Sequence, residues 1–299
     1  MMRLLDLRDD GLGAALCAAT GWHRLPHALH AFPDGETLLR LDEEVRGADV
    51  AVLADLAHPE QRVLRVLLAA GALRDQGAAR IGLVAPYLPY LRQDTAFRPG
   101  EAISARVFAR LLEREFDWLL TVEAHLHRFA SLAELFTVPA YNVSAAPLLA
   151  GWVRGHVAEP LLVGPDAESA QWVGATARRL GCPATVLRKE RHGDAEVLVH
   201  GAIAPTWRHR TPVLLDDMIS TGHTLIEACR LLRAAGLPPP VVLAVHGLFA
   251  GPAYAELRAA GAHTVLTTDS VPHAAGTLSL APLLADALTA LAPVPADAN

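Results

Sequence analysis

Short runs of uninterrupted apolar residues alternate along this chain with stretches whose apolar positions recur every three to four residues, and that alternation limits the possible folds more than any other feature. In the first half, Asp49–Leu56, Arg80–Pro86 and Trp118–Glu123 read as buried strands. Pro59 opens a helix carrying Val63, Leu64, Val66, Leu67, Leu68 and Leu73, and Ile103–Phe116 reads as a second helix. Ala145–Val153 reads as a bridging helix. Beyond it, Leu161–Gly164, Ala184–Leu187, Val213–Leu215, Val241–Val245 and Thr264–Thr267 are expected strands. The helices expected there are Glu168–Leu180, Thr224–Ala235, Pro252–Ala260 and Leu278–Leu291. Strands that alternate with helices require right-handed crossovers and a mainly parallel sheet flanked by helices, the α/β class. A length of 299 residues exceeds one average domain, so two are expected, 1–145 and 146–299. The tail Pro293–Asn299 has no periodic pattern and is expected to fray.

A weak internal repeat agrees with that division. Leu120-Thr121-Val122-Glu123 lines up with Leu266-Thr267-Thr268-Asp269 at an offset of 146 residues, and Ile81–Ala85 with Val241–Val245 at an offset of 160. The first half therefore holds an insertion of 14 residues between its matching strand and helix. It falls on the charged stretch Tyr90-Leu91-Arg92-Gln93-Asp94-Thr95-Ala96-Phe97-Arg98-Pro99-Gly100-Glu101, as a functional loop would.

Composition excludes several classes. Hydrophobic residues make up 52% of the chain, yet Gly, Pro, Asp or Arg breaks each run before the roughly 18 apolar residues of a membrane span. The first ten residues carry acids where an export signal needs an apolar core. Cys17, Cys182 and Cys229 have no metal-binding spacing, and their odd number argues against a disulfide framework. A reducing cytoplasm is expected. A net charge of −6 gives no electrostatic footprint for nucleic acid, so anionic ligands must be held by local clusters. Among the 26 Lys and Arg residues, Lys189 is the only lysine. An ammonium is a compact point charge suited to a reacting phosphoryl group, where arginine offers a wide fork.

The most specific segment is Val213-Leu214-Leu215-Asp216-Asp217-Met218-Ile219-Ser220-Thr221-Gly222-His223-Thr224-Leu225, an apolar strand, two carboxylates, a hydroxyl-and-glycine loop and a helix start. Loop amides and the hydroxyls of Ser220, Thr221 and Thr224 suit a phosphate at a helix N-terminus. Asp216 and Asp217 suit ribose hydroxyls or a magnesium ion shared with the ligand. An ordinary strand-to-helix turn needs one capping Asp and no threonine pair.

These residues resemble the phosphoribosyl diphosphate loop of type I phosphoribosyltransferases and of ribose-phosphate diphosphokinases, and the loop alone does not separate the two. Four further segments resemble the diphosphokinase family. Phe32-Pro33-Asp34-Gly35-Glu36 is similar to its adenine-side loop, and Arg92-Gln93-Asp94 with Phe97–Ala105 to its inserted loop. Thr121-Val122-Glu123-Ala124-His125 matches the place where the family has an Asp and a His near the nucleotide, with Glu123 here in place of Asp. Leu187–Val197 resembles its catalytic loop, and the chain's single lysine falls on the catalytic lysine. Val163-Gly164-Pro165-Asp166 and His246-Gly247-Leu248-Phe249 extend the match, although Ala167-Glu168-Ser169 and His223 depart from it.

The resemblance implies two tandem type I phosphoribosyltransferase-like domains and an active site between them, completed by a neighbouring subunit of a homo-oligomer built from dimers. It implies ATP and ribose 5-phosphate as substrates and Mg2+ as cofactor. Lys189 and Arg191 would be catalytic, and Phe32, Asp34, Glu36, Arg92, Gln93, Asp94 and His125 would bind ATP. Asp216, Asp217, Ser220, Thr221, Gly222, His223 and Thr224 would bind ribose 5-phosphate, and His125 and Asp166 the metal. A salvage phosphoribosyltransferase and a non-catalytic regulatory relative remain as alternatives. The first would not need the Arg-Gln-Asp insertion, and the second would not need Lys189, Arg191, His125 and both aspartates.

Overall fold

The computed structural model describes residues 2–192, 196–200, 203–273 and 276–291, without the side chains of 171 and 188–200. The expected tail at Pro293–Asn299 lies outside the described residues. The chain divides into two compact units: residues up to Val143 together with the chain from Ser279 on, and Ser144–Leu278.

In the first unit the order is β1 (Met2–Asp6), α1 (Leu12–Thr20), β2 (His23–Arg24), β3 (His27–Ala31), β4 (Thr37–Leu41), β5 (Asp49–Leu53), α2 (Pro59–Asp75), β6 (Arg80–Val84), α3 (Ser104–Leu112), β7 (Trp118–Val122) and β8 (Ala140–Val143). Six strands form a parallel sheet in the order β2-β1-β5-β6-β7-β8, and β3 and β4 form a separate antiparallel hairpin. Leu4, Leu5, Val50, Ala51, Val52 and Leu53 are all fully buried, because helices cover both faces of a parallel sheet. Gly82 on β6 stands opposite Trp118 on β7, and a methyl group added to Gly82 would fall inside the Trp118 indole.

The second unit repeats the plan with α4 (Ala146–His156), β9 (Pro160–Gly164), α5 (Ala170–Leu180), β10 (Ala184–Val186), β11 (Arg188–His192), β12 (Glu196–His200), β13 (Thr211–Ile219), α6 (His223–Ala234), β14 (Val241–Gly247), α7 (Ala253–Ala259), β15 (Thr264–Thr268) and β16 (Thr277–Leu278). Its parallel sheet runs β10-β9-β13-β14-β15-β16, beside the hairpin β11–β12. The two sheet orders correspond strand for strand, and the pairs β6/β14 and β7/β15 are those the internal repeat aligned. In each unit the hairpin lies against the helix that follows the third sheet strand in sequence, β4 on α2 and β12 on α6. The last helix, α8 (Ala281–Leu291), packs on α1 of the first unit, as α4 packs on α5 of the second. An expected division at 145/146 with 279–299 in the second half therefore differs from the structure: the chain changes unit twice.

Several elements differ from the sequence reading. β13 runs on through Asp216 and Asp217 to Ile219, and α3 is shorter than expected, whereas β1, α1, β8 and both hairpins were not anticipated. No helix among the described residues is long and apolar enough to cross a membrane.

Candidate active site

Neighbouring strands whose connections leave in opposite directions open a crevice at the carboxyl edge of a parallel sheet. In the second unit this switch point lies between β9 and β13, since β9 leads by α5 outward to β10, and β13 by α6 the other way to β14. Asp166 follows β9, and the Asp216–Thr224 segment closes β13. Both therefore meet at one edge of the sheet.

The turn after β13 is held from behind. Amides of Leu248 and Phe249 donate to the Ile219 carbonyl at 2.9 and 3.0 Å, and the Ala250 amide to the Ser220 carbonyl at 3.0 Å. Gly222 then adopts φ 74°, a left-handed conformation that costs other residues about 1–2 kcal/mol, and its carbonyl accepts the first bond of α6 from Ile226 at 2.8 Å. Glycine has no side chain to cap the helix, so the start of α6 has no side-chain cap, and the positive end of the helix dipole there suits an anion. Thr221 and His223 are exposed, and Ser220 and Thr224 are half-buried. Phe249, itself at φ 42°, packs on Tyr254 and His273 at ring distances of 5.5 and 4.3 Å. Gly247 leaves the room that the Phe249 ring and Thr267 occupy.

Three carboxylates lie within electrostatic reach of one another. Burial, and then the charges of Asp217 and Asp166, push the Asp216 carboxyl well above the usual carboxylate range. One Asp216 oxygen also accepts the Asp217 amide at 3.0 Å. Asp166 accepts the amide of Glu168 at 3.1 Å and of Ser169 at 3.4 Å, so it caps the turn after β9 as well as facing the crevice. Among the described residues, no group of three or more His, Cys, Asp or Glu is close enough to hold a metal ion alone. Crowded carboxylates such as these fit a divalent cation whose shell is completed by oxygens of a ligand, the usual manner for magnesium.

Lys189 and Arg191 both lie on β11, where Lys189 pairs with Val199 and Arg191 with Val197 of β12. Their side chains lie outside the described residues, as do residues 193–195 between the strands.

In the first unit, Phe32-Pro33-Asp34-Gly35-Glu36 forms the turn of the β3–β4 hairpin. Phe32 N–H donates to the Glu36 carbonyl at 2.8 Å, Asp34 accepts the Glu36 amide at 3.1 Å, and Gly35 takes φ 94°. The turn leaves the Phe32 ring 39% exposed, edge-on to His30 at 4.7 Å. In the inserted loop Arg92 and Gln93 are exposed, whereas Asp94 points inward and is buried. Asp94 accepts from Arg128 Nη1 at 2.6 Å, and the same guanidinium lies over the Phe97 ring at 5.4 Å. Glu101 accepts the amides of Phe97 and Arg98, and Gln93 accepts from the Ser104 hydroxyl. Arg128 and Asn142, which accepts the Ala124 amide at 2.8 Å and so fixes the loop bearing His125, were missed in the sequence; neither lies on the loop it supports, Arg128 being on another loop and Asn142 on β8. His125 is half-buried just beyond β7.

Backbone strain marks the same sheet edges. Among the described residues, six other than glycine have positive φ, and Asp9, His58, Tyr90, Glu123 and Phe249 all follow the carboxyl end of a strand.

Known proteins resemble the chain across both units. Residues 5–115 match the model of the N-terminal domain of ribose phosphate pyrophosphokinase, and residues 144–281 that of the phosphoribosyl transferase domain. The chain is 36% identical to the ribose-phosphate pyrophosphokinase of Halobacterium salinarum over 289 residues, covering 96% of this chain and 100% of that one. It is 34% identical to that of Methanopyrus kandleri over 86% of this chain and 88% of the relative. The crystal structure of phosphoribosylpyrophosphate synthetase from Mycobacterium smegmatis superimposes with a TM-score of 0.86 at 30% identity, over 97% of this chain and 98% of that one. Similarity of this extent, running through both units and almost the whole length of these relatives, establishes that the chain belongs to the ribose-phosphate pyrophosphokinase family.

Proposed function

We propose that this enzyme transfers the diphosphoryl group of ATP to the C1 oxygen of ribose 5-phosphate. The C1 oxygen forms a bond to the β-phosphorus, the bond from that phosphorus to the oxygen bridging to the α-phosphate breaks, and AMP leaves while the C1 hydroxyl proton passes to solvent. The observation that carries this reading is the arrangement around α6. The helix begins at the Asp216–Thr224 turn, and the hairpin bearing the chain's only lysine lies against it.

In this reading the 5-phosphate takes the amides and hydroxyls of Ser220–Thr224, and Asp216 and Asp217 accept from the ribose hydroxyls. Lys189 and Arg191 neutralise charge on the transferring group, so positioning and electrostatics supply most of the rate and no strong base is required. Phe32, Asp34 and Glu36 would meet the adenine, and Arg92 and Gln93 the triphosphate. Asp94, held by Arg128, keeps that loop in place from below. Asp166 and His125 are each proposed as magnesium ligands; a magnesium ion, when bound with the nucleotide, would screen the charge of the diphosphoryl oxygens. Exposed apolar pairs one turn apart, Leu64 and Leu68 on α2 and Val107 and Leu111 on α3, support a homo-oligomer, which light scattering would test.

Purified enzyme given ribose 5-phosphate, ATP and magnesium should release AMP and 5-phosphoribosyl 1-diphosphate in equal amounts. Absence of AMP across a range of metal and phosphate concentrations would overturn the proposal. Lys189→Ala should lower kcat by at least 100-fold, about the weight of one transition-state contact, and leave ribose 5-phosphate binding nearly unchanged.

A further inference from the structure

A buried polar network lies at the carboxyl ends of β14 and β15 and takes no direct part in the proposed transfer. Its members His246, Thr268 and Ser270 are all buried. The Thr268 and Ser270 hydroxyls both donate to the Val245 carbonyl, at 2.7 and 2.9 Å, and Thr268 Oγ1 accepts the Ser270 amide at 3.2 Å. His246 Nδ1 lies 2.9 Å from Ser270 Oγ. A serine hydroxyl has one proton, and Ser270 gives its proton to Val245. The Ser270 oxygen therefore accepts from His246, and Nδ1 carries the hydrogen.

The sheet itself does not need these hydroxyls, because the first unit forms the same strand order without them. There Val122 pairs with Val143 as Thr268 pairs with Leu278, and the next amide, of Glu123 or of Asp269, donates to that partner's carbonyl at 2.8 or 3.0 Å. Thr268 and Ser270 thus stand where the first unit has Val122 and Ala124. A satisfied buried network rigidifies what it holds, and this one is found only in the unit that carries the Asp216–Thr224 turn.

What it holds is the strand end on which that turn rests. His246 pairs with Met218 and Gly247 with Ile219, and the next three amides, of Leu248, Phe249 and Ala250, donate to the carbonyls of Ile219 and Ser220. Gly247 lies so close to the Phe249 ring and Thr267 that an added methyl group would not fit, so a shift of His246 passes to those amides. We propose that His246 is a positioning residue for ribose 5-phosphate: its Nδ1–H, held by Ser270, fixes where the Ser220–Thr224 turn stands. That role rests on the assignment of ribose 5-phosphate to the turn.

Calorimetric titration of the full-length protein with ribose 5-phosphate alone, beside KM for ATP and the melting temperature, tests it. An asparagine amide nitrogen takes the place of Nδ1, whereas that of glutamine reaches the place of Nε2. His246→Ala, His246→Gln and Ser270→Ala should each weaken ribose 5-phosphate binding roughly tenfold, about the worth of one buried hydrogen bond, and leave KM for ATP unchanged. His246→Asn should recover most of that loss. Gly82→Ala, which crowds Trp118 in the first unit, shows what instability alone does to the titration. Equal affinities for the parent and His246→Ala, or equal losses in His246→Asn and His246→Gln, would overturn the proposal, as would the same loss in Gly82→Ala. Should His246→Ala not fold, the Asn and Gln variants still decide. An intact protein that binds no ribose 5-phosphate would refute the assignment of the turn and this role with it. Binding that depends on His246 without AMP release would refute the catalytic reading alone.

Discussion

Asp216 is placed where the folded protein is less stable for having it. Its carboxyl is pushed well above the usual range by burial and by Asp217 and Asp166, so the folded chain holds that proton more tightly than the unfolded chain does. Linkage fixes the sign: the cost is absent below the ordinary Asp value of about 3.9, grows as pH rises through the interval up to the folded value, and is complete above it. Asp216→Asn should therefore melt at a higher temperature than the parent at pH 8, with the gap closing towards pH 4, while AMP release is lost. Equal melting temperatures at pH 8 would show that neither burial nor the neighbouring carboxylates destabilise the charged Asp216. The loop itself was legible because its residues are contiguous, whereas the approach of Asp166 to Asp216 depends on β9 pairing with β13, separated by some fifty residues. The partner of Asp94 was hidden for the same reason. Arg128→Met should raise KM for ATP several-fold and leave KM for ribose 5-phosphate unchanged; because the guanidinium is 45% exposed, the stability lost should stay near 1 kcal/mol.

Elements were legible in proportion to how completely they are buried. β5, β6, β7 and β14 are almost wholly enclosed, and their apolar runs stand out from neighbouring helices. The edge strands β2 and β16 have two residues each, below any period, and β3 and β4 are half-exposed and alternate weakly. What fixes the centre of the first sheet is one close approach, Gly82 beneath the Trp118 ring. Gly82→Ala forces that ring from its place and should cost about 1–3 kcal/mol, read as a lower urea midpoint with an unchanged slope. Trp118→Leu introduced alongside should recover part of the loss, since the methyl group then has room; additive losses would show that the two side chains do not compete.

At the scale of the whole molecule, the units share a sheet order and a hairpin position, and each takes its remaining helix from chain beyond its own six strands or before them. α4 follows β8 yet belongs to the second unit, and α8 follows β16 yet belongs to the first. A linear reading cannot recover this, because α8 is contiguous with the strands of the second unit and its pattern says only that one face is buried. That face is Ala281, Leu284, Ala285 and Leu288, and it lies on α1, whose Leu12 and Leu16 are buried. A chain ending at Leu278 would uncover both sets of side chains. The damage should appear in the first unit: limited proteolysis with mass spectrometry should find new cleavage sites before Val143, with 144–278 as resistant as in the full chain. Leu284→Ala should act in the same direction more mildly, at about 2–5 kcal/mol for a fully buried leucine. Were the helix part of the second unit, as its position in the sequence suggests, the new sites would lie within 144–278, so the location of the cuts decides between the two assignments.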